Sequence, residues 1–420
     1  MLLLKTILNR IQKFPSHVYD NVRLLDHPGD QLCLEIGIVP RKNGRCLCSR
    51  CLRPAPGYDT ASEPRRFEFV PLWNIPVFLL YCMRRVQCRT CGVVVEAVPW
   101  AEGKQRTTHA FSWFLASWAK RLSWKQTAQA FSTSWDTVAR AVRRAVDWGL
   151  AHRHVEGVQA IGIDEIAWTK KGDKFATVVY QIDEGWRRLL WIGKGRKETT
   201  LQSFFGEMGG ALQRLEFVAS DMWKPYLNVV AERAGRALHV LDRFHIMAHF
   251  SKAIDKIRAQ EARELKSKGY DPVLKGSRFL LLKRPENLTD TQDVKLAELL
   301  HYNLKAVRAY LLKEDFQFFW NYVSPYWAGR FLDRWCVKTM RSRIEPMKKV
   351  ARSLRKHREL LLNWFRARGE ISSGTVEGLN NKAKVTMRNA YGYRSYKNLE
   401  ASLYHALGHL PEREFTHRFC

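Results

Sequence analysis

Three shortages frame this 420-residue chain: long apolar runs, acidic side chains, and cysteine beyond its early stretch. The longest apolar stretch, Pro76 to Met83, falls far below the roughly 20 residues that a membrane-spanning helix requires, so no transmembrane segment is expected. The opening Met1-Leu2-Leu3-Leu4 run turns charged by Arg10 and Lys13 and has no small-residue cleavage site, which argues against a secretory leader. A cytoplasmic protein is expected. Forty-one Asp plus Glu stand against seventy Lys plus Arg, leaving a formal charge of +29. That deficit excludes a self-neutralised surface and makes a polyanion, nucleic acid first, the expected partner. The basic residues run through every segment and form no single tail. After Cys91 only Cys336 and Cys420 remain. In a reducing compartment the early cysteines are metal ligands or core thiols rather than disulfides.

Among those cysteines two knuckles stand out, Cys48-Ser49-Arg50-Cys51 and Cys88-Arg89-Thr90-Cys91. Each offers two thiolates from one tight turn, and a pair of such turns is what a tetrahedral structural Zn²⁺ site needs. Four thiolates leave no open position for catalysis. Cys46 competes with Cys48 as a ligand, and Cys33 and Cys82 are spare thiols. Farther on, Ser123 to Phe131 and Trp135 to Arg144 read as two helices around the polar turn Ser132-Thr133-Ser134. A helix-turn-helix carrying Lys125, Arg140, Arg143 and Arg144 fits the major groove of double-stranded DNA.

The chain then turns to alternating elements. An apolar strand over 160–168 encloses Asp164, and the run 175–182 reads as its hairpin partner across Lys170-Lys171-Gly172-Asp173. A third strand covers 188–193. Helix, strand, helix and strand follow, and the last two strands end on Asp221 and Asp242. Three meandering strands followed by αβαβ units predict an α/β, RNase H-like core in which the first and fourth strands lie side by side. From His245 to Arg368 the chain reads as an all-helical insertion whose aromatics, Phe316, Phe318, Phe319, Trp320, Tyr326, Trp327, Phe331 and Trp335, are expected in its core. Afterwards Ser372, Ser373 and Gly374 can cap a helix with Glu377 in its first turns and Lys382, Lys384 and Arg388 beyond.

An aspartate inside an apolar strand is costly without a partner or a metal. Asp164, Asp221 and Glu377 in one cleft could hold two Mg²⁺ ions, or Mn²⁺, and clamp the attacking and leaving oxygens of an in-line phosphoryl displacement. Glu165 rivals Asp164, although strand alternation points it to the opposite face. His245, three residues after Asp242, either assists the cleft or is a hydrogen-bonded core histidine.

The order of knuckles, helix-turn-helix, Gly162-Ile163-Asp164-Glu165, Ser220-Asp221-Met222-Trp223, Asp242-Arg243-Phe244-His245, Ser373-Gly374-Thr375-Val376-Glu377-Gly378-Leu379-Asn380 and Arg388-Asn389-Ala390-Tyr391-Gly392-Tyr393-Arg394 resembles a bacterial ISL3-family insertion-sequence transposase. Ser373 departs from the asparagine expected there in many relatives. The resemblance implies a DDE triad of Asp164, Asp221 and Glu377 and an Asp-x-x-His element at Asp242 and His245. It also implies recognition of terminal inverted repeats and joining of 3′-hydroxyl ends to target DNA. A homodimer or higher assembly on nucleoid DNA is expected, since two ends must be held together. The expected order is a zinc-ribbon-like module over 1–105, a helix-turn-helix over 106–152, the first core segment over 153–248, the helical insertion over 249–368 and the second core segment over 369–420. The DNA-facing cations are Lys125, Arg140, Arg143, Arg144, Lys382, Lys384, Arg388 and Arg394. A DNA-binding regulator without catalysis and an RNase H-like nuclease without strand transfer are the competing readings.

Overall fold

Apolar residues at alternate positions make the first long strands, because a pleated backbone sends successive side chains to opposite faces. The computed structural model describes residues 2–27, 31–169, 172–270, 272–367 and 373–413. It divides into two units, Met1–His154 with Val385–Cys420, and Val155–Lys384.

In the first unit α1 (Leu2–Ile11) precedes β1 (His17–His27), β2 (Gln31–Pro40), β3 (Gly57–Thr60), β4 (Arg65–Leu72), β5 (Ile75–Tyr81), β6 (Arg84–Cys88) and β7 (Gly92–Val95). These form a four-stranded sheet in the order β1-β2-β5-β4 and a three-stranded sheet in the order β3-β6-β7. Tyr19, Ile36, Phe67, Leu79 and Trp100 fill the core of the first. The second carries the cysteine knuckles. The long β1–β2 pair lies ahead of the first knuckle, in a stretch for which no element is expected from the sequence.

Three helices follow, α2 (His109–Trp118), α3 (Trp124–Ala130) and α4 (Trp135–His152). Ser123 and Gln126 form a capping box at the start of α3, and Ser134 caps α4 by accepting from the Thr137 N–H at 3.1 Å. The expected helix, turn and second helix are therefore present, each held by its own cap.

The second unit is built on β8 (Ala160–Ala167), β9 (Phe175–Gln181), β10 (Arg188–Lys194), β11 (Phe217–Ser220) and β12 (Leu238–Leu241), with α5 (Glu198–Met208) and α6 (Lys224–Arg233) between them. The sheet order is β10-β9-β8-β11-β12, antiparallel through β10, β9 and β8 and parallel through β8, β11 and β12. The first and fourth strands of this unit are neighbours, as the element order requires. Ile161, Ile163, Val179 and Val218 pack on one face against Phe204, Tyr226 and Val229 of α5 and α6. Lys170 and Lys171, half of the expected hairpin turn, lie outside the described residues.

Helices α7 (Arg243–Ser267), α8 (Arg278–Leu282), α9 (Asp290–Leu300), α10 (Lys305–Gln317), α11 (Pro325–Met340), α12 (Glu345–Lys356) and α13 (Arg358–Arg366) make the insertion. Phe250, Phe316, Phe319, Trp320 and Trp335 form its buried aromatic centre. Phe318, Tyr326 and Trp327 are exposed instead, which corrects the expectation that all these aromatics are core. Asn363 of α13 donates to the His239 carbonyl at 2.8 Å and so ties the insertion to β12. The chain continues through α14 (Ser373–Asn389) and α15 (Tyr396–Leu407). Ser372 lies outside the described residues, and so does the side chain of Ser373. No described helix is long and apolar enough to cross a membrane.

Candidate active site

Parallel pairing places three acids at one edge of the sheet. Ala219 pairs with Gly162 across β11 and β8, so two residues farther along each chain Asp221 comes opposite Asp164. Ser220 pairs with Leu241 across β11 and β12, and the Asp242 N–H then donates to the Ser220 carbonyl at 2.8 Å. Adjacent strands are only about 4.8 Å apart, so Asp221 stands between Asp164 and Asp242 on neighbouring strand ends. His245, in the first turn of α7, sits between two of them. Its Nδ1 is 3.8 Å from Asp221 and its Nε2 is 3.9 Å from Asp242. Asp242 caps α7, accepting from the Phe244 N–H at 2.7 Å.

Asp164 is 9% exposed. Burial pushes its carboxyl above the ordinary range. The Glu165 N–H, 2.7 Å from Oδ1, and His245 pull it down, while Asp221 and Asp242 push it up. Asp221 is likewise raised, first by burial, although it accepts from the Trp223 N–H at 3.0 Å. Buried acids that repel one another favour a proton or a cation in their midst.

On the face of β8 opposite α5 and α6, α14 lies directly over the strand. A Cβ on Gly162 would come within 2.3 Å of the Val376 side chain, so glycine permits this close approach. Asn380, one turn farther along α14, is 6% exposed. Its Nδ2 donates to Asp164, and its Oδ1 accepts from the Tyr180 hydroxyl at 2.8 Å. Glu377 is exposed on the turn before Asn380. Three residues apart on a helix are neighbours, so Glu377 and Asn380 share one side of α14. Asn380 is a site residue that sequence reasoning missed. The one signal that could have found it is an amide at helical spacing after Glu377.

Glu165, the rival to Asp164, points to the other face. Its Oε1 is 3.1 Å from Arg196 Nη1. Burial raises its carboxyl and Arg196 opposes that rise.

Among the described residues, Cys48, Cys51, Cys88 and Cys91 are the only group of three or more His, Cys, Asp or Glu ligand atoms that all lie within 4.8 Å of one another. Metal–sulfur bonds of about 2.3 Å in a tetrahedron put sulfurs roughly 3.8 Å apart, and Cys51 Sγ is 3.6 Å from Cys88 Sγ. The Arg50 N–H points at Cys48 Sγ from 3.4 Å. The Cys48 thiol is held down to about 6, first by the Cys51 backbone N–H. Cys46 packs beside this group without joining it, so of the two it is Cys48 that belongs to the cluster. The residue after each knuckle, Leu52 (φ 56°) and Gly92 (φ 73°), is left-handed, and only glycine takes that conformation without strain.

The acidic edge is more open than the cysteine cluster, since the carboxylate oxygens of Asp164, Asp221 and Glu377 are not gathered into so tight a group. Lys125, Arg140, Lys382, Lys384, Arg388 and Arg394 are all exposed, and Arg143 is half-buried. Arg144 differs. Its guanidinium turns inward and donates to the Ser112 hydroxyl at 3.0 Å, joining α4 to α2.

Residues 161–403 match the ISL3 family model, which is described as a transposase. The chain is 31% identical over 360 residues to the transposase for insertion sequence element IS1001 of Bordetella parapertussis, covering 83% of this chain and 85% of that protein. It is 30% identical over 413 residues to the transposase for insertion sequence element IS1557 of Mycobacterium tuberculosis, covering 92% and 91%. Among solved structures it is similar to the Drosophila P element transposase strand transfer complex, with 11% identity, a TM-score of 0.38, and coverage of 71% of this chain and 90% of that one.

Proposed function

The chain belongs to the ISL3 transposase family, and from that premise we propose that it is a DNA transposase with an RNase H-like core and a DDE site at Asp164, Asp221 and Glu377. One observation carries the assignment of residues: buried Asp164 lies opposite Asp221 and is hydrogen-bonded by Asn380, which stands one helical turn after Glu377. Two carboxyls on neighbouring strand ends, Asp164 and Asp221, both pushed up by burial and by repulsion from nearby acids, fit a hard divalent cation. Asp164, Asp221 and Glu377 would hold Mg²⁺ or Mn²⁺. Bound there, two such ions supply charge stabilisation for in-line displacement at a DNA phosphate.

The remaining steps fall to the protein's own groups. Asn380 holds Asp164 in one rotamer and keeps α14 in register with β8. Asp242 and His245 flank Asp221 on its far side, where the imidazole can hold or pass a proton. Lys125, Arg140 and Arg143 of the helix-turn-helix and Lys382, Lys384, Arg388 and Arg394 neutralise phosphates of the element ends and the target. Cys48, Cys51, Cys88 and Cys91 hold a structural Zn²⁺ that folds the β3-β6-β7 sheet, which has too few buried apolar residues to be stable alone. The enzyme acts in the cytoplasm on the chromosome as a homodimer or larger assembly, bringing two terminal inverted repeats together.

The test is an end-labelled terminal repeat incubated with the protein, Mg²⁺ and plasmid target. The expected products are nicks at the element boundary and repeat–plasmid joints. Binding without cutting would replace the proposal with a regulator. Cutting a normal end while failing to join a pre-cut 3′-hydroxyl end would replace it with a nuclease.

A further inference from the structure

On the face of β8 away from Asn380, one side chain reaches three different elements. Arg196 sits between β10 and α5. Its guanidinium lies 4.1 Å from the centre of the Phe175 ring at the start of β9 and 4.5 Å from that of Trp223 just before α6. Its Nη1 meets Glu165 Oε1 of β8 at 3.1 Å. Its carbonyl accepts from the Trp223 indole N–H at 3.2 Å. Trp223 is therefore held twice by one residue, by a cation–π contact and by a hydrogen bond. The backbone N–H of the same tryptophan donates to Asp221 Oδ1 at 3.0 Å.

Two links thus run from Arg196 to the acidic edge. Through Trp223 it reaches the carboxylate of Asp221. Through Glu165 it reaches the strand position next to Asp164. The second oxygen of Glu165 is buried and has no hydrogen-bond partner among the described residues, so among them the guanidinium is the one cation that hydrogen-bonds this carboxylate. A cation set over two rings while its N–H groups pair with a carboxylate suits the forked, weakly hydrated guanidinium of arginine. Lysine offers a compact charge with no plane to stack.

We infer that Arg196 is a positioning residue that sets the spacing of Asp164 and Asp221, acting through Trp223 and Glu165, so that the pair can share divalent ions. This rests on the reading of those aspartates as metal ligands. Arg196 touches neither the DNA phosphate nor the ion in this role. Its effect passes through the backbone N–H that orients Asp221 and the strand that carries Asp164. Partners one shell removed from metal ligands typically alter affinity by about 10–100-fold when lost.

The experiment measures Mn²⁺ binding to the full-length protein by electron paramagnetic resonance, alongside melting temperature and cleavage of the end-labelled repeat. Arg196→Lys keeps the charge opposite Glu165 and is expected to keep the melting temperature. It should nevertheless weaken Mn²⁺ binding roughly tenfold and raise the metal concentration needed for half-maximal cleavage. Arg196→Ala should weaken binding further, and Glu165→Gln in that background should recover stability without recovering Mn²⁺ affinity. Wild-type Mn²⁺ affinity in Arg196→Lys, or full recovery of affinity in the double variant, overturns the inference and leaves Arg196 a structural ion pair. Asp221→Asn separates the two levels. If it loses Mn²⁺ while the Arg196 variants do not, only the positioning role fails. If it binds Mn²⁺ like wild type, the metal-ligand reading fails and takes this inference with it.

Discussion

Asn380 hydrogen-bonds Asp164 across 216 positions of sequence, from a helix that also carries Glu377 to a strand beside the one that leads to Asp221. The amide is engaged on both sides, since its oxygen takes the Tyr180 hydroxyl. Replacing Asn380 with Ala leaves two buried polar groups short of a partner, at a cost of about 1–3 kcal/mol each. Urea unfolding of Asn380→Ala should show a loss in that range together with slowed end cleavage. An unchanged unfolding midpoint would mean that the amide contributes nothing to holding α14 on β8.

Asp164→Asn, Asp221→Asn and Glu377→Gln keep size and shape while removing a negative charge from the proposed metal site. Each is expected to abolish detectable end cleavage and to leave gel-shift affinity for the terminal repeat near wild type. A variant that still cuts at the wild-type rate removes its residue from the site.

Metal analysis of the purified protein should give close to one zinc per chain, lost in Cys48→Ser and in Cys88→Ser and retained in Cys46→Ser. Retention in Cys48→Ser would contradict the geometry of the cluster. Leu52→Gly relieves a left-handed leucine and should raise stability by up to about 1 kcal/mol, since the strain removed exceeds the entropy that glycine adds to the unfolded chain.

Salt dependence separates DNA-facing cations from packing ones. Lys125→Ala and Arg140→Ala should each flatten the slope of log affinity against log salt by about 1. Arg144→Ala should leave the slope alone and lower stability, because its guanidinium is committed to Ser112. A flatter slope in Arg144→Ala would return that residue to the DNA surface.

His239 is buried against the Ser220 hydroxyl at 2.7 Å, and burial holds its imidazole down to about 4. His17, packed between Tyr81 and Trp100, is also lowered to about 4, mainly by burial. An unfolded histidine takes its proton near pH 6.5, whereas the folded ones resist until about 4, so stability is full above pH 6.5 and is lost as pH falls toward 4. For His239 the loss amounts to about 3 kcal/mol. The raised carboxyl of Asp164 contributes in the opposite sense, favouring the folded state as it protonates. Comparing wild type with His239→Gln at pH 7.5 and pH 5 isolates the histidine. Equal pH slopes in the two proteins would show that His239 is not buried neutral.

Much of this arrangement is legible along the chain because its causes are local. The two knuckles are turns of four residues. The helix, turn and second helix are announced by the polar run Ser132-Thr133-Ser134 between two helical stretches, and the structure adds the caps Ser123 and Ser134. Asp164 draws attention as an acid in an apolar strand, and Asp221 as an acid at a strand end. Glu377 is different, since nothing in its own neighbourhood marks it and only the family pattern brings it forward. Exposure of Phe318, Tyr326 and Trp327 was hidden for a related reason: helical spacing shows that aromatics share a face but not whether another helix covers it.

The amino-acid order by itself determined the strands and helices from Ser123 through the strand ending on Asp242, the knuckles, the charge and the strand-end acids, because each follows from neighbours a few residues away. Tertiary structure alone decided that Arg144 packs inward, that Glu165 pairs with Arg196, and that Asn380 meets Asp164. Those outcomes depend on which surfaces dock. The approach of α14 is open only because Gly162 has no side chain to keep Val376 away, and a hydrogen bond reaching across it has no periodicity to betray it in sequence.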